Sequence, residues 1–295
     1  MNTLNVAAAQ YSLSDVPSEE AFWAGLARKM RKAAENGAEL ILLPEYMTAH
    51  LLSFQPELSH EEACMHLETY TDEYRSFFQR SSRELNVMIL GGTHICREGE
   101  RFVNKASLFF PDGRIEEQNK LHLTPEERIR WPLSEGDKLN IIETEWGRWA
   151  ILTCYDIEFP ELSRIAADQG VVLILCPSYT DTAYGYHRVR YCCQARAIEN
   201  QLFVALSGIV GSLPEQRPQI DQGYCQAGLF SPCDMPFTAS GLIGAGRLNE
   251  DEVVLGELDF SLLHENRTNG AVAPFYDRRP ALYEKLSDKM TIGEC

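Results

Sequence analysis

The sequence predicts an α/β fold in which helices cover the faces of β-sheets, and three observations favour that class. Short apolar runs with strand character alternate with amphipathic helical segments along the chain. Neither a linker, a repeat nor a low-complexity tract interrupts the alternation, so we expect one domain over residues 1–295. Hydrophobic residues make up 44% of the chain and charged residues 24%, which is typical of a globular protein with a sizeable core. Periodicity alone leaves open whether the sheet is parallel or mixed.

The first half of the chain predicts five strands and two long helices. Strands are expected at residues 4–10, 39–43, 86–95 and 101–110, and a fifth should end near residue 120. The first helix, residues 18–36, is indicated by apolar residues at near-helical spacing: Phe22, Leu26, Met30 and Ala33. Ser59 and Glu62 have the form of a capping box, and one helix should run from there to about Leu85.

The second half predicts three more strands, two helices and a strand-rich tail. The strands are expected at residues 149–153, 171–176 and 202–207, and the helices at 160–169 and 185–199. Pro160 lies in the first turn of its helix and Gly170 follows the end, which is the favoured asymmetry. Residues 230–259 read as strands and a hairpin.

Charge and cysteine content exclude several classes of partner. The net charge of −16 repels phosphate backbones, so we expect no nucleic acid. The longest apolar run near the middle, Val171–Cys176, is far shorter than the ~20 residues of a membrane span, so no membrane is expected. Nine cysteines without a Cys-x-x-Cys pair disfavour a disulfide framework and structural zinc, and favour a cytoplasmic location. We expect neither a metal nor a cofactor.

Three reactive side chains each follow an apolar strand. Glu45 follows Leu40–Pro44, Lys120 ends a predicted strand, and Cys154 follows Trp149–Thr153. Ligands of α/β folds bind outside the carboxyl ends of strands, so we expect these three side chains to converge. Taken singly, each fits an ordinary surface or core residue; the pattern of all three carries the prediction.

The three groups offer a coherent chemistry. A cysteine nucleophile needs a base for its proton, and the carboxylate of Glu45 can serve. The oxyanion that forms needs a positive charge or a dipole, which Lys120 can supply. The turn after Cys154 can also direct the N–H of Tyr155 at that oxyanion.

The motifs around these residues resemble those of the nitrilase (carbon–nitrogen hydrolase) superfamily. They read Leu-Leu-Pro-Glu45-Tyr, then Asn-Lys120-Leu-His-Leu-Thr-Pro-Glu-Glu, then Cys154-Tyr-Asp-Ile-Glu-Phe-Pro-Glu. The first two reactive residues are 75 positions apart and the last two are 34 apart, as in the family. Segments 194–201 and 277–283 resemble the family as well.

This resemblance implies a four-layer α-β-β-α sandwich of the nitrilase type, which pairs into a larger sandwich in a homodimer or a higher even oligomer. It implies that Glu45 is the general base, that Cys154 is the nucleophile and that Lys120 stabilises the oxyanion. Many members carry a second glutamate near the triad. Glu126 and Glu127 both compete for that place, and we favour Glu127 because it matches the second glutamate of the Pro-Glu-Glu form.

Tyr155-Asp156 after the nucleophile resembles the amidase and carbamoylase branches, whereas nitrilases proper carry Trp-Glu there. The expected substrate is therefore a small linear amide or carbamoyl compound. Glu158 stands where several relatives acting on carboxylate-bearing substrates have arginine, so it should repel anionic substrates. The alternative is that Glu158 points outward or pairs with Arg164 on the following helix. Tyr179 is a candidate wall of the pocket, or else a core aromatic.

Two other functions remain open from the sequence. The chain could be a catalytically silent scaffold of the same fold, or a redox sensor that uses Cys154 or the adjacent Cys192 and Cys193. His122, close to Lys120, is interpreted as structural.

Overall fold

Two β-sheets lie face to face at the centre of the computed structural model, which describes residues 2–55, 57–213 and 217–287. The strands are β1 (Thr3–Ser12), β2 (Leu40–Leu42), β3 (Met88–Glu98), β4 (Arg101–Phe109), β5 (Ile115–Asn119), β6 (Ile142–Thr144), β7 (Gly147–Ile151), β8 (Val171–Ser178), β9 (Phe203–Ser212), β10 (Gln222–Gly223), β11 (Gly228–Phe230), β12 (Leu242–Ala245) and β13 (Val253–Asp259). The α-helices are α1 (Glu19–Glu35), α2 (His60–Glu68), α3 (Thr71–Leu85), α4 (Pro125–Arg130), α5 (Pro160–Asp168), α6 (Ala183–Asn200), α7 (Phe260–Asn269) and α8 (Pro280–Ser287). Two 3₁₀ helices cover Met47–Phe54 and Cys154–Glu158.

The strands follow the order β5-β4-β3-β2-β1-β9-β8-β7-β6, and β1 belongs to both sheets. Its residues from Thr3 to Ala9 pair antiparallel with β13, and part of the same stretch pairs parallel with β2. Its last residues, Gln10–Ser12, pair parallel with β9 of the second sheet. Both sheets are mixed, because the central strands run parallel whereas β4, β5 and β6 join antiparallel.

Alternating side chains on each strand separate three layers of core, as the two-residue period of a strand requires. Between the sheets lie residues such as Leu4, Leu42 and Leu90 from the first and Trp149, Leu173 and Phe203 from the second. Helices α1, α2 and α3 cover the outer face of the first sheet. Helices α5 and α6 cover that of the second. The predicted four-layer α-β-β-α sandwich is therefore confirmed.

The single helix predicted from Ser59 to Leu85 is wrong, because the chain breaks it into α2 and α3. The capping box that starts α2 is present, with Ser59 and Glu62 exchanging hydrogen bonds. The break follows at Thr69, whose hydroxyl donates to the carbonyl of His66 at 2.6 Å. Threonine side chains that bond nearby backbone groups compete with helix continuation. Tyr70 then donates its hydroxyl to Glu19 at 2.5 Å, which directs the chain toward α1.

The other predicted elements are present with shifted ends, and several short elements were not predicted. These are α4, β6, β10, α7, α8 and the two 3₁₀ helices. None of the helices in the described parts of the chain is both long and apolar enough to cross a lipid bilayer.

Candidate active site

Glu45, Lys120 and Cys154 line one cavity of about 860 Å³. Glu45 follows β2 and Lys120 follows β5, both in the first sheet, whereas Cys154 follows β7 in the second. All three side chains are buried, and the Nζ of Lys120 lies 2.8 Å from Oε1 of Glu45. The predicted convergence of the three strand ends is therefore present in the structure.

The turn that carries Glu45 is anchored to strand β3. The N–H of Thr93 donates to the carbonyl of Pro44 at 3.2 Å, and its hydroxyl accepts from the N–H of Tyr46 at 2.8 Å. Gly92 makes this approach possible. It has a φ of +70°, and a Cβ there would lie only 1.9 Å from the oxygen of Pro44.

Both oxygens of the Glu45 carboxylate accept hydrogen bonds. Its Oε1 accepts from Lys120 and from the side-chain amide of Asn104, the latter at 2.9 Å. Its Oε2 accepts from the backbone N–H of Tyr179 at 2.9 Å. Asn104 was not predicted from the sequence; the available signal was a polar residue directly after the apolar pair Phe102 and Val103 of its strand.

Glu127, rather than Glu126, is the second carboxylate of the site. Both of its oxygens lie 2.8 Å from the Nζ of Lys120. A capping box at the start of α4 holds it there, because Thr124 and Glu127 exchange hydrogen bonds. The hydroxyl of Tyr46 donates to the same carboxylate. Glu126 instead pairs with Arg130 in an exposed position.

The two carboxylates differ in pKa although they share one ammonium. Burial raises the pKa of Glu45, and Lys120 offsets only part of that rise. Burial would also raise the pKa of Glu127, but Lys120 and Tyr46 hold it below its ordinary value. Neighbouring groups whose pKa values are driven apart suit different roles in proton transfer. Glu127 therefore suits a permanent charge partner, and Glu45 suits a group that gains and loses a proton.

Burial and neighbouring charges also shift the pKa of the Lys120 ammonium and that of the Cys154 thiol. Burial would lower the pKa of Lys120, but the carboxylates of Glu127 and Glu45 outweigh it and raise that pKa well above the usual value. Burial raises the pKa of Cys154, and Glu45 adds to the effect. The raised pKa favours a protonated resting thiol, so a nucleophilic role for Cys154 would require a base.

Cys154 adopts the left-handed region of backbone conformation, with φ at +49°. A non-glycine residue held there stores about 1–3 kcal/mol of strain, which is common at active sites. Its thiol donates to the carbonyl of Tyr179 at 3.2 Å. The N–H of Tyr155 lies in the first turn of the 3₁₀ helix, where N–H groups have no partner within the helix.

Tyr179 and Glu158 both line the cavity. Tyr179 meets Tyr46 edge-on, with ring centroids 6.1 Å apart. Glu158 forms an ion pair with Arg188 at 3.2 Å. The alternative pairing of Glu158 with Arg164 is wrong, because Arg164 donates to the carbonyl of Glu199 instead. Helix α6 brings Arg188 to this place, and no local sequence pattern signals that.

The histidine and the other cysteines that the sequence offered as candidates for a functional role lie outside the cavity. The Nδ1 of His122 is 3.2 Å from Oδ1 of Asp156, and its ring stacks on Phe159 at 3.8 Å between centroids. Cys193 is buried between α6 and the second sheet, and Cys192 packs at the edge of that cluster. Within the described residues, no three His, Cys, Asp or Glu side chains are grouped so that they could hold a metal.

A family model described as carbon–nitrogen hydrolase matches residues 5–264. A probable hydrolase, YhcX of Bacillus subtilis, is 42% identical over 93% of this chain and 53% of its own length. A chloroplastic omega-amidase of Arabidopsis thaliana is 30% identical over 82% of this chain and 64% of its own. The chain thus spans between half and two thirds of the length of these two relatives.

Solved structures share the fold. A carbon–nitrogen hydrolase from Helicobacter pylori G27 superposes with a TM-score of 0.79, covering 97% of this chain and 98% of that one at 20% sequence identity. Nit3 of Saccharomyces cerevisiae gives a TM-score of 0.74 over 90% of this chain and 94% of its own at 21% identity.

Proposed function

The chain belongs to the carbon–nitrogen hydrolase family of the nitrilase superfamily, and from that premise we propose that it hydrolyses the C–N bond of a small linear amide or carbamoyl compound. The observation that carries the proposal is the buried contact of Lys120 with Glu45 in the cavity that also holds Cys154. The omega-amidase relative favours an amide over a nitrile as the substrate.

The proposed first half-reaction forms a thioester. The carboxylate of Glu45 takes the proton from the thiol of Cys154, and the sulfur attacks the carbonyl carbon of the substrate. The ammonium of Lys120 and the N–H of Tyr155 stabilise the negative charge on the carbonyl oxygen. The C–N bond then breaks, and its nitrogen leaves as ammonia or an amine with the proton from Glu45.

The second half-reaction returns the enzyme to its starting state. Glu45 takes a proton from water, whose oxygen attacks the thioester carbon. The C–S bond breaks, the acid or carbamic acid leaves, and the thiol of Cys154 regains its proton from Glu45. Glu127 stays ionised throughout and balances the charge of Lys120, in keeping with its lowered pKa.

The charges at the cavity support a preference for neutral or amine-bearing substrates. Three arginines line it, and each already pairs with a carboxylate: Arg130 with Glu126, Arg188 with Glu158 and Arg217 with Asp15. Asp181 and Asp221 line the same cavity and form no ion pair within the described residues. A substrate carboxylate would therefore meet net negative charge, and a substrate ammonium would be attracted.

We also propose that two copies associate through α5 and α6. Large side chains remain exposed on these helices: Ile165, Tyr184, Tyr191 and Ile198. Such side chains on one face are typical of an interface with a second subunit.

The test of the proposed function is ammonia release from three four-carbon amides that end in a methyl group, an amine or a carboxylate. We expect release from the first two, and loss of release after treatment with iodoacetamide. The absence of release from a broad amide panel, or activity that survives complete alkylation of Cys154, would contradict the proposal. The first result would favour the silent or redox-sensing scaffold.

A further inference from the structure

The carboxylate of Asp156 joins two segments of chain that carry catalytic candidates. Its Oδ1 accepts from the N–H of His122 at 2.7 Å and lies 3.2 Å from Nδ1 of the same residue. Its Oδ2 accepts from the N–H of Leu121 and from that of Thr153, each at 3.2 Å. The side chain is completely buried. One carboxylate thus binds the residues that follow Lys120 and the residue that precedes Cys154.

This link matters because Lys120 and Cys154 come from different sheets. The backbone of Lys120 bonds to Asn104 and Gly136, and neither belongs to the turn that carries the nucleophile. Among the hydrogen bonds of the described residues, those to Asp156 are the ones that tie the loop after Lys120 to the Cys154 turn. The ring of His122, stacked on Phe159, adds an apolar contact at the same junction.

We propose that Asp156 is a positioning residue that sets the distance between the ammonium of Lys120 and the nucleophile Cys154. This inference rests on the proposed amide hydrolysis. Asp156 touches no substrate; it acts through the backbone on either side of the junction. Because an oxyanion donor must meet the charge that develops on the substrate, a small displacement of Lys120 weakens its stabilisation of the transition state.

The chemistry of the side chain is suited to this role. An ionised carboxylate offers only acceptors, and here N–H groups surround it on both oxygens. Asparagine has nearly the same shape, but its NH₂ group would face one pair of these donors. The substitution Asp156→Asn therefore keeps the volume and removes the hydrogen bonds that one of the two oxygens accepts.

The test compares Asp156→Asn with wild type in turnover, alkylation and melting. We expect kcat to fall about 10- to 100-fold with KM changed less than about threefold, because the loss lies in the transition state. Alkylation of Cys154 by iodoacetamide forms no oxyanion, so its rate should change less than about threefold. Asp259→Asn is the matched control, because Asp259 caps α7 by accepting from two N–H groups and has no link to the cavity.

Several results would overturn the inference. One is a kcat for Asp156→Asn within about twofold of wild type; another is a loss seen only in KM. A third is an alkylation rate that falls as much as kcat, because the carboxylate would then shape the nucleophile turn alone. If Asp156→Asn does not fold, His122→Phe keeps a ring against Phe159 and removes the contact of Nδ1 with Asp156. The kcat of His122→Phe should fall at least threefold, which is roughly the effect of losing one hydrogen bond. An unchanged kcat would reject the inference. Wild-type inactivity on all amides would instead reject the proposed function.

Discussion

Glu127 contacts the ammonium of Lys120 with both oxygens of its carboxylate, each at 2.8 Å. The contact is buried, so the two charges are little screened by water. It leaves Lys120 with two carboxylate partners, of which only Glu45 has a raised pKa. In the proposed mechanism, Glu127 would therefore keep Lys120 charged while Glu45 exchanges its proton.

Glu127→Gln should lower both stability and turnover. Removing one partner of a buried ion pair costs about 3–5 kcal/mol, and Glu45 remains to compensate, so we expect the lower end of that range. Urea denaturation and kcat measure the two effects. Glu126→Gln is the matched control, because its exposed pair with Arg130 should contribute less than about 1 kcal/mol. Equal effects of the two substitutions would contradict the assignment of Glu127.

Cys154→Ala should abolish ammonia release and keep the melting temperature close to that of wild type. Lys120→Met should reduce kcat by about 10²–10³, or roughly 3–4 kcal/mol of transition-state stabilisation. Steady-state kinetics on the best amide gives both values. Appreciable turnover by Cys154→Ala would contradict the assignment of Cys154 as the nucleophile. A Lys120→Met effect confined to KM would contradict a role of Lys120 in stabilising the transition state.

The apparent pKa of the acid limb in the pH profile of kcat/KM should lie above the ordinary pKa of a glutamate. Glu45 must be ionised to take the thiol proton, and burial raises its pKa, so activity should fall as the pH drops through that raised value. Asn104→Ala removes a hydrogen bond to the ionised form, so the limb should move to higher pH. A limb at the ordinary glutamate pKa, or one that Asn104→Ala leaves in place, would argue against Glu45 as the base.

Glu158 and Arg188 should change substrate preference in opposite directions. Glu158→Gln frees the guanidinium of Arg188 beside the cavity, which should raise kcat/KM for the carboxylate-bearing amide. Arg188→Gln frees the carboxylate and should favour the amine-bearing amide. Two charges about 4 Å apart interact by roughly 4 kcal/mol at an effective dielectric of 20, which is ample for a measurable change if the substrate comes that close. A wild type that prefers the carboxylate, or equal shifts in both variants, would disprove the idea.

Tyr191→Glu should weaken the proposed association of two copies. Tyr191 is exposed on α6, and a buried interface would leave the new carboxylate without a partner. Light scattering should report more than the 33.4 kDa of one chain for wild type and a smaller mass for the variant. Met65→Glu on α2, also an exposed apolar position, should leave the mass unchanged. A wild-type monomer at micromolar concentration would refute the association.

The fold and the family could be predicted because their signals are local. Strands such as β2 and β8 have apolar runs, and Glu45, Lys120 and Cys154 each lie in a short motif. What could not be predicted depends on partners distant in sequence. Asn104 is 59 positions from Glu45, and no periodicity encodes that contact. The catalytic roles of the site residues stay predictions.

The same limit explains why the alternative pairing of Glu158 with Arg164 is wrong. Arg164 was the nearest arginine on the following helix, whereas the partner is Arg188, 30 positions away on α6. Tertiary packing of α6 against the Cys154 turn decides the pairing. Asp156 likewise lies 34 positions from His122 and 35 from Leu121, so its role could not be inferred from its motif alone.

Strand β1 has a consequence for how the chain folds. Thr3 pairs with Asp259, and Gln10 pairs with Gly208, so the first strand of the chain completes its hydrogen bonds only with strands made much later. During synthesis, β1 can pair with β2 early, but its pairing with β13 must wait until about residue 259 has emerged. Such long-range pairing slows folding and exposes unpaired strand edges meanwhile. We infer that the two sheets join late in folding, when β1 pairs with β13 of the first sheet and β9 of the second.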